Sequence, residues 1–146
     1  MSTYRSIIDQ IYTIIQELEG SGQPFNATYK RLTANTQTFP VAMVDVYDPS
    51  ERIRFDSVSD YNTYSFIIRC VFLDDNTQAA NDLRLDTMDD VVDKLADSTI
   101  TDTLRGQACK LDWNGPAPWF DQDTYGQPVL GFDIILSVGI IKNLTF

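Results

Sequence analysis

Histidine is absent from this chain of 146 residues. Without an imidazole the chain lacks the usual general base near neutral pH and the commonest transition-metal ligand, so catalytic triads and histidine-based metal sites are excluded. Cysteine is scarce too, since only Cys70 and Cys109 are present. Their wide separation fits neither a CxxC redox motif nor a zinc knuckle. Both fall in predicted strands, and we expect them to be buried free thiols.

Basic residues and long apolar runs are also few. Eleven lysines and arginines stand against 21 aspartates and glutamates, giving a formal net charge of -10. Because affinity for phosphate comes mainly from lysine and arginine, any contact with DNA should be non-adhesive. No apolar run approaches the roughly 18 residues of a membrane span, and the N-terminus leads into an amphipathic pattern instead of a signal peptide. We therefore expect an intracellular protein with no membrane partner.

Motifs of catalysis are missing as well. The sequence contains no phosphate-binding glycine loop, nucleophile elbow or dinucleotide fingerprint. The aspartate-rich segments 74–76 and 121–123 lack the glycine and distal glutamate of a calcium loop. We expect no enzymatic activity, no metal and no cofactor. A small acidic ligand-binding protein or enzyme, with a pocket that the sequence does not reveal, stays open as an alternative.

The length and the 43% hydrophobic content fit a single domain spanning residues 1–146. Isoleucines at spacings of three and four predict a helix over 3–19, and an acidic helix is predicted in the centre of the chain. Residues 23–38 are predicted to be a polar excursion, and 52–56 a short strand or an extended loop. Strands are predicted at 39–47, 64–73, 107–113 and 130–140. The sequence thus predicts an α+β fold, with a mixed, mainly antiparallel sheet packed on one side by the two helices.

Aspartates form a stripe on the central helix. Eighteen of the 21 acidic residues are aspartate, and six of them recur at spacings of three and four, within an arc of about 100° opposite Met88, Val91 and Leu95. Aspartate is a poor helix former, and like charges four apart repel by about 0.2–0.5 kcal/mol per pair. The stripe is either a solvated outer face or a surface that must not hold a polyanion. Its members are Asp82, Asp86, Asp89, Asp90, Asp93 and Asp97.

Two segments are predicted to be long loops that contact partners. The fifteen residues 114–128 exceed most hairpin loops and carry large aromatic side chains, which dominate binding hot spots. The alternative is that this loop merely folds onto its own sheet. Segment 47–61 carries arginines that could pair with acids of a neighbouring subunit. The predicted interface residues are Arg52, Arg54, Tyr61, Trp113, Trp119, Phe120 and Tyr125.

The order of these elements resembles the tail terminator (tail-completion) proteins of tailed bacteriophages. The likeness covers most of the chain. It is carried by the isoleucine-rich first helix, Phe39-Pro40-Val41 at the start of a strand, the strand 64–73 leading into a helix, and the aromatic loop before the last long strand. The family has no diagnostic motif, so the resemblance rests on element order and pattern.

The resemblance implies an α+β fold and a homohexameric ring that caps the tail tube and joins it to the head, while DNA passes through. Its partners would be a tail-tube protein and a neck or connector protein, its place the virion, and its site of assembly the host cytoplasm. The family carries no catalytic residues to transfer. We expect the six aspartates to line or approach the channel, where they would repel phosphates and let DNA slide.

Other interpretations stay open at this point. A head-to-tail joining (neck) adaptor or a tail-tube protein of the same virion would meet DNA in a similar way. The strong N-terminal helix speaks against the tube protein. A saline host would also account for an aspartate-rich composition, and composition alone does not separate these cases.

Overall fold

The computed structural model describes residues 3–35, 38–47, 51–54, 59–97, 100 and 110–143. It has an α+β fold in which one N-terminal and one central helix accompany a mixed sheet, as predicted. The elements in chain order are α1 (Thr3–Gln16), β1 (Ala27–Tyr29), β2 (Val41–Val46), β3 (Glu51–Arg54), β4 (Ser59–Leu73), α2 (Gln78–Leu95), β5 (Lys110–Asp121) and β6 (Val129–Asn143). None of the described helices is long and apolar enough to cross a membrane.

The sheet is built around two long antiparallel strands. Its order is β1-β2-β4-β6-β5, and only the β1–β2 pair is parallel among the described pairs. β4 and β6 pair along all 15 residues of each, from Ser59 opposite Asn143 to Leu73 opposite Val129. At about 3.3 Å per residue this ladder is roughly 50 Å long. β2 and β3 follow one another along the other side of β4.

Both helices cover one face of the sheet, which we call the helix face. α1 buries its isoleucine stripe there, and α2 buries Val91 and Leu95 while Met88 packs against the same core. These α2 residues lie opposite the aspartates, as predicted. Each fully buried aliphatic or aromatic side chain contributes about 1.5–3 kcal/mol of transfer free energy. The strands contribute Phe66, Ile68, Phe72, Phe132, Ile134 and Leu136, among others.

The opposite face, which we call the open face, holds a second and smaller core. Val41, Met43, Val71 and Val129 are fully buried there. Phe39, Leu32, Trp119 and Tyr125 pack over them as partly buried side chains. This cover explains why β4 is apolar on nearly both sides. Cys70, which points toward the helices, is a buried free thiol as expected, whereas Cys109 lies outside the described residues.

The prediction of a fifteen-residue aromatic loop is wrong. β5 continues to Asp121, so Trp113, Trp119 and Phe120 are strand residues, and only 122–128 connect β5 to β6. Pro116 and Pro118 are tolerated because β5 is the outermost of the described strands on this side, where an N–H on its outer edge has no ladder partner to lose. The register shifts between Asn114 and Ala117, which absorbs the irregular segment as a bulge.

Several other boundaries differ from prediction, including the start of β4 at Ser59 instead of residue 64. Segment 47–61 is not one loop, because Arg52 and Arg54 lie in β3 and Tyr61 lies in β4. Segment 23–38 contains β1 and the fully buried Phe25, so it contributes to the core. α1 ends at Gln16 instead of residue 19, since the next three N–H groups bond carbonyls three residues back and tighten the chain into a turn. The predicted strand residues 107–109 lie outside the described part of the chain.

Gly131 has no side chain, which allows the backbone of β4 and the indole of Trp119 to pack closely against β6. A Cβ at this position would overlap the carbonyl oxygen of Cys70 and lie 2.6 Å from Cζ2 of Trp119. The backbone of β4 is fixed by its ladder, so it cannot move aside. We expect Gly131→Ala to lower the free energy of unfolding by about 1–3 kcal/mol. Urea unfolding would measure it, with Ser137→Ala on the same face of β6 as a control that changes stability by less than about 0.5 kcal/mol. Equal stability of the two variants would contradict the proposed overlap.

Candidate functional site

The first candidate surface is the aspartate stripe on α2. All six aspartates are exposed; five lie in α2, and Asp97 follows the C-cap residue Ala96. The helix is fixed along its length. Thr77 caps its first turn by accepting a hydrogen bond from the N–H of Ala80, and Arg84 donates to the carbonyl oxygen of Trp119 at 3.2 Å. Lys94 near its end pairs with Glu17 at 2.6 Å. The aspartates therefore sit on a rigid support.

The second candidate surface is centred on an ion pair on the open face. Arg69 of β4 and Asp133 of β6 are direct cross-strand neighbours. The guanidinium donates from Nε to Oδ1 at 2.9 Å and from Nη2 to Oδ2 at 3.1 Å, which is a bidentate pair. Trp119 of β5 donates from Nε1 to the same Oδ1 at 2.9 Å. Three strands thus hold one carboxylate in a single orientation.

The indole of Trp119, a residue of β5, packs beside the Arg69–Asp133 pair. It lies over Gly131, and it stacks on Tyr125 with ring centroids 6.3 Å apart at 13°. The guanidinium carbon of Arg69 lies 5.8 Å from the indole centroid, which is within cation–π range. Trp119 therefore supports the ion pair as well as the small core. Trp113 packs against the larger core on the other face.

Charges around the ion pair are fixed by local hydrogen bonds. The hydrogen bond to Asp133 raises the pKa of Arg69 above its usual value, against the opposing effect of burial. Burial raises the pKa of Tyr125, and the nearby Arg69 partly offsets that rise. The N–H and hydroxyl of Thr124, followed by the N–H of Asp123, lower the pKa of Asp121. At neutral pH the guanidinium of Arg69 and the carboxylate of Asp121 are thus held in their charged forms beside a neutral phenol.

A groove with two lobes runs past this ion pair. The aromatic lobe, about 360 Å³, is lined by Phe120, Asp121, Thr124 and Tyr125. The aliphatic lobe, about 330 Å³, is lined by Tyr47, Ile67, Asn114 and Ile135. Arg69 and Asp133 line both lobes, so the two lobes adjoin at the ion pair. The aromatic side chains, hydrogen-bond donors and carboxylates of this groove are suited to binding part of another molecule.

The described residues offer this groove neither a metal-binding cluster nor an exposed thiol. Within the described residues no three histidine, cysteine, aspartate or glutamate side chains group as a metal site. The thiol of Cys70 is fully buried, and burial raises its pKa well above the usual range, so it is protonated and shielded. The groove holds its charges in paired, hydrogen-bonded form.

The structure brings only some of the predicted interface residues together. Trp119, Phe120 and Tyr125 meet at the groove. Arg52, Arg54 and Tyr61 lie in the strands beyond the groove, at positions given by backbone pairing. Sequence reasoning missed Arg69 and Asp133. The available signal was one residue of each charge in the middle of two otherwise apolar strands, which favours a cross-strand pair.

Comparison with known proteins gives no family. No model of a known protein family matches this chain, and no curated protein matches it significantly. The arguments for function therefore come from the α+β fold, the exposed aspartate stripe and the two-lobed groove. The stripe and the groove lie on different sides of the sheet, because α2 covers the helix face while the groove is on the open face.

The Arg69–Asp133 pair is expected to stabilise the fold cooperatively. The side chains are 30% and 21% exposed, so removing either partner leaves the other charge unpaired in a place that is largely shielded from water. Arg69→Met or Asp133→Asn should each lower the free energy of unfolding by about 1–3 kcal/mol. Because the second substitution removes an interaction that is already lost, the double variant should cost less than the sum. Urea unfolding of the four proteins measures this coupling.

The pair Lys30–Asp9 gives a matched control for that cycle. Its atoms are 3.2 Å apart, and its side chains are 53% and 49% exposed. Exposed pairs couple by less than about 1 kcal/mol. If the two cycles gave the same coupling, the special role of Arg69 and Asp133 would be refuted.

Thr124 is expected to control the titration of Asp121. Thr124→Val removes the hydroxyl donor and should raise the pKa of Asp121 toward its ordinary value of 3.8, whereas Thr124→Ser should keep it low. Since the folded pKa lies below the unfolded one, these hydrogen bonds stabilise the fold above the unfolded pKa. That contribution is lost as the pH falls through the folded pKa. Carboxyl carbon NMR across an acid titration measures the shift, and equal values in both variants would argue against it.

Proposed function

We propose that this protein is a structural component of a bacteriophage virion, a tail terminator that forms a hexameric ring. In this role it caps the tail tube, joins the tube to the neck and lets DNA pass without holding it. No enzymatic activity is part of the proposal. The observation that carries it is the exposed aspartate stripe on a helix that is fixed to both α1 and β5.

Electrostatics supports placing the stripe at a channel. Screening limits interactions between exposed charges to about 8–10 Å at physiological salt, so a surface repels DNA only where it comes close. Aspartate side chains are short, and a fixed helix keeps their carboxylates at a constant depth. A ring would bring six such helices around one axis. Phosphates would then meet a uniformly negative wall, which favours sliding over binding.

The element order of the fold supports the same proposal. An N-terminal helix and a central helix on a mixed sheet agree with the α+β fold that the resemblance implies. The aromatic segment that also carried the resemblance is part of β5 and not a loop. A neck adaptor or tail-tube protein of the same virion would share the requirement for an open channel. The two helices speak against the tube protein.

The groove favours one other candidate function. Its lobes fall at the lower end of the range of about 300–1,000 Å³ that is typical of small-molecule sites. A small acidic ligand-binding protein would use Arg69, Tyr125 and the adjoining carboxylates to orient a polar ligand. A protein with this function would require neither a ring assembly nor a negatively charged channel surface.

The ring proposal predicts both a symmetry and a radius. Negative-stain images and light scattering of the purified protein should show six-fold rings. Spin labels on Asp89→Cys or Gln122→Cys, in a Cys109→Ser background, then locate the stripe and the connection between β5 and β6. In a six-fold ring the distance between neighbouring labels equals their distance from the axis. We expect the Asp89 labels to be closer together than the Gln122 labels.

The outcomes separate the two parts of the proposal. A protein that stays monomeric at all concentrations would contradict the ring, and the ligand-binding alternative would then be preferred. If rings form but Asp89 lies farther from the axis than Gln122, the proposed ring assembly stands and the proposed channel position of the stripe is contradicted.

A further inference from the structure

We propose that neighbouring copies of this chain join head to tail, with Arg31 of one copy seated in the aromatic lobe of the groove of the next. This inference rests on the proposed function in one respect, namely that copies of the chain form a ring. It assigns the groove an occupant of defined chemistry, a guanidinium that a second copy carries just after its outer strand β1.

Arg31 is the cation that its own copy leaves unengaged. Its side chain is exposed, and within the described part of the chain it makes no ion pair or hydrogen bond. The other lysines and arginines with described side chains each contact a group of the same copy, and these are Arg5, Lys30, Arg69, Arg84 and Lys94. Among the described side chains, Arg31 is therefore the cation that is available to another molecule.

The backbone on both sides of Arg31 is fixed. Tyr29 pairs with Met43 in the parallel ladder of β1 and β2. The N–H of Leu32 donates to Oδ2 of Asp45 at 2.9 Å, and the Leu32 side chain packs on the small core of the open face. Binding costs free energy when it must order a loop, and this segment is ordered beforehand. The chain thus presents Arg31 to solvent from a defined position.

The aromatic lobe of the groove is suited to a guanidinium. Arginine pairs with carboxylates and stacks on aromatic faces. Asp121 supplies a carboxylate to the lobe, and Phe120 and Tyr125 supply aromatic rings. Phe120 is 55% exposed, so its ring is accessible to a partner. The lobe therefore offers an arginine both kinds of contact.

The carboxylate of Asp121 keeps acceptor capacity for an incoming donor. Its Oδ1 accepts from the N–H groups of Asp123 and Thr124, whereas in the described contacts its Oδ2 accepts only from the Thr124 hydroxyl. Because a carboxylate has about four acceptor positions, Oδ2 has room for one more hydrogen bond. Asp133 is already paired with Arg69, while Asp121 makes no ion pair within the described residues. The lobe thus favours a cationic occupant.

Arg31 and the aromatic lobe of the same copy lie apart. Asp45, which holds the segment of Arg31, lies in the cross-strand row of Ile135, whereas Asp121 lies opposite Val129. Ile135 and Val129 are six residues apart on β6, which is about 20 Å at roughly 3.3 Å per residue. Arg31 accordingly lines neither lobe of its own groove. A contact between them has to join two copies.

The two complementary patches lie toward opposite edges of the sheet. β1 is the outermost described strand on one side, and β5, which carries Asp121, is the outermost on the other. A contact between two different patches is heterologous, and a heterologous contact either closes into a ring or runs on as a fibre. Copies that join edge to edge leave both faces of the sheet uncovered. The helix face with its aspartate stripe then stays available to line the channel.

The aspartate stripe is the rival acceptor for Arg31. All of its carboxylates are exposed, and α2 itself carries no aromatic residue. Ion pairs between exposed side chains contribute little, because water screens them and two flexible side chains must be ordered. The aromatic lobe adds ring contacts to the ion pair, so it is the better acceptor of the two.

Charge reversal on each side of the contact tests the inference. Arg31→Glu and, separately, Asp121→Arg each bring like charges together and should raise the subunit concentration needed for half-assembly by about tenfold or more. An equal mixture of the two variants should assemble again, because every contact between unlike variants joins opposite charges. A ring of six allows this alternation. Light scattering across a dilution series measures assembly, and circular dichroism confirms that each variant folds.

Three further variants set the specificity of the result. Phe120→Ala should weaken assembly without changing charge, because it removes the exposed ring of the lobe. Lys30→Gln removes a neighbouring cation that is already paired with Asp9 in its own copy, and Asp89→Arg reverses a member of the stripe. Both of these controls should assemble as the unchanged protein does.

The outcomes separate this contact from the proposed function. Loss of assembly in Asp89→Arg but not in Asp121→Arg would overturn the inference in favour of the stripe. A mixture that assembles no better than its single variants would refute the head-to-tail pairing. Rings that persist in every variant would overturn the inference alone and leave the groove to a different partner. Charge-dependent association into fibres without rings would support this contact and contradict the ring. An unchanged protein that stays monomeric would contradict both.

Discussion

The structure depends on the continuous pairing of β4 with β6. This ladder sets Phe66, Ile68 and Phe132 on the helix face, and it sets Arg69 opposite Asp133 on the open face. A slip of one residue would turn every side chain of a strand to the other face. Arg69 would then enter the larger core while phenylalanines met solvent. The apolar core and the bidentate ion pair therefore enforce the same register from opposite sides of the sheet.

Sequence periodicity predicted the parts of the fold that repeat. The isoleucine spacing gave α1, and the position of Met88, Val91 and Leu95 opposite the aspartates was correct because a helix face is a local property. Pro116 and Pro118 misled the prediction of β5, since their tolerance depends on an edge position that only the assembled sheet defines. The contact of Arg69 with Asp133 joins residues 64 positions apart, and no local pattern encodes such a pairing. Sequence patterns thus located the exposed acidic helix but not the groove.

The sheet also separates two kinds of surface. On one side, α2 presents exposed carboxylates at spacings of three and four residues. On the other, Tyr125 and Tyr47 flank a carboxylate that is already engaged by Arg69 and Trp119. The first surface suits repulsion at a distance, and the second suits close contact.

The prolines of β5 have a consequence for solubility and assembly. An outer strand with free N–H groups is a template on which another chain can add, and this is a common route to aggregation. Pro116 and Pro118 offer no N–H. The bulge between Asn114 and Ala117 also bends this edge strand away from regular pairing. At the other end, β1 is only three residues long. Growth of this sheet by backbone pairing is thus hindered at the proline segment of β5 and restricted at the short strand β1.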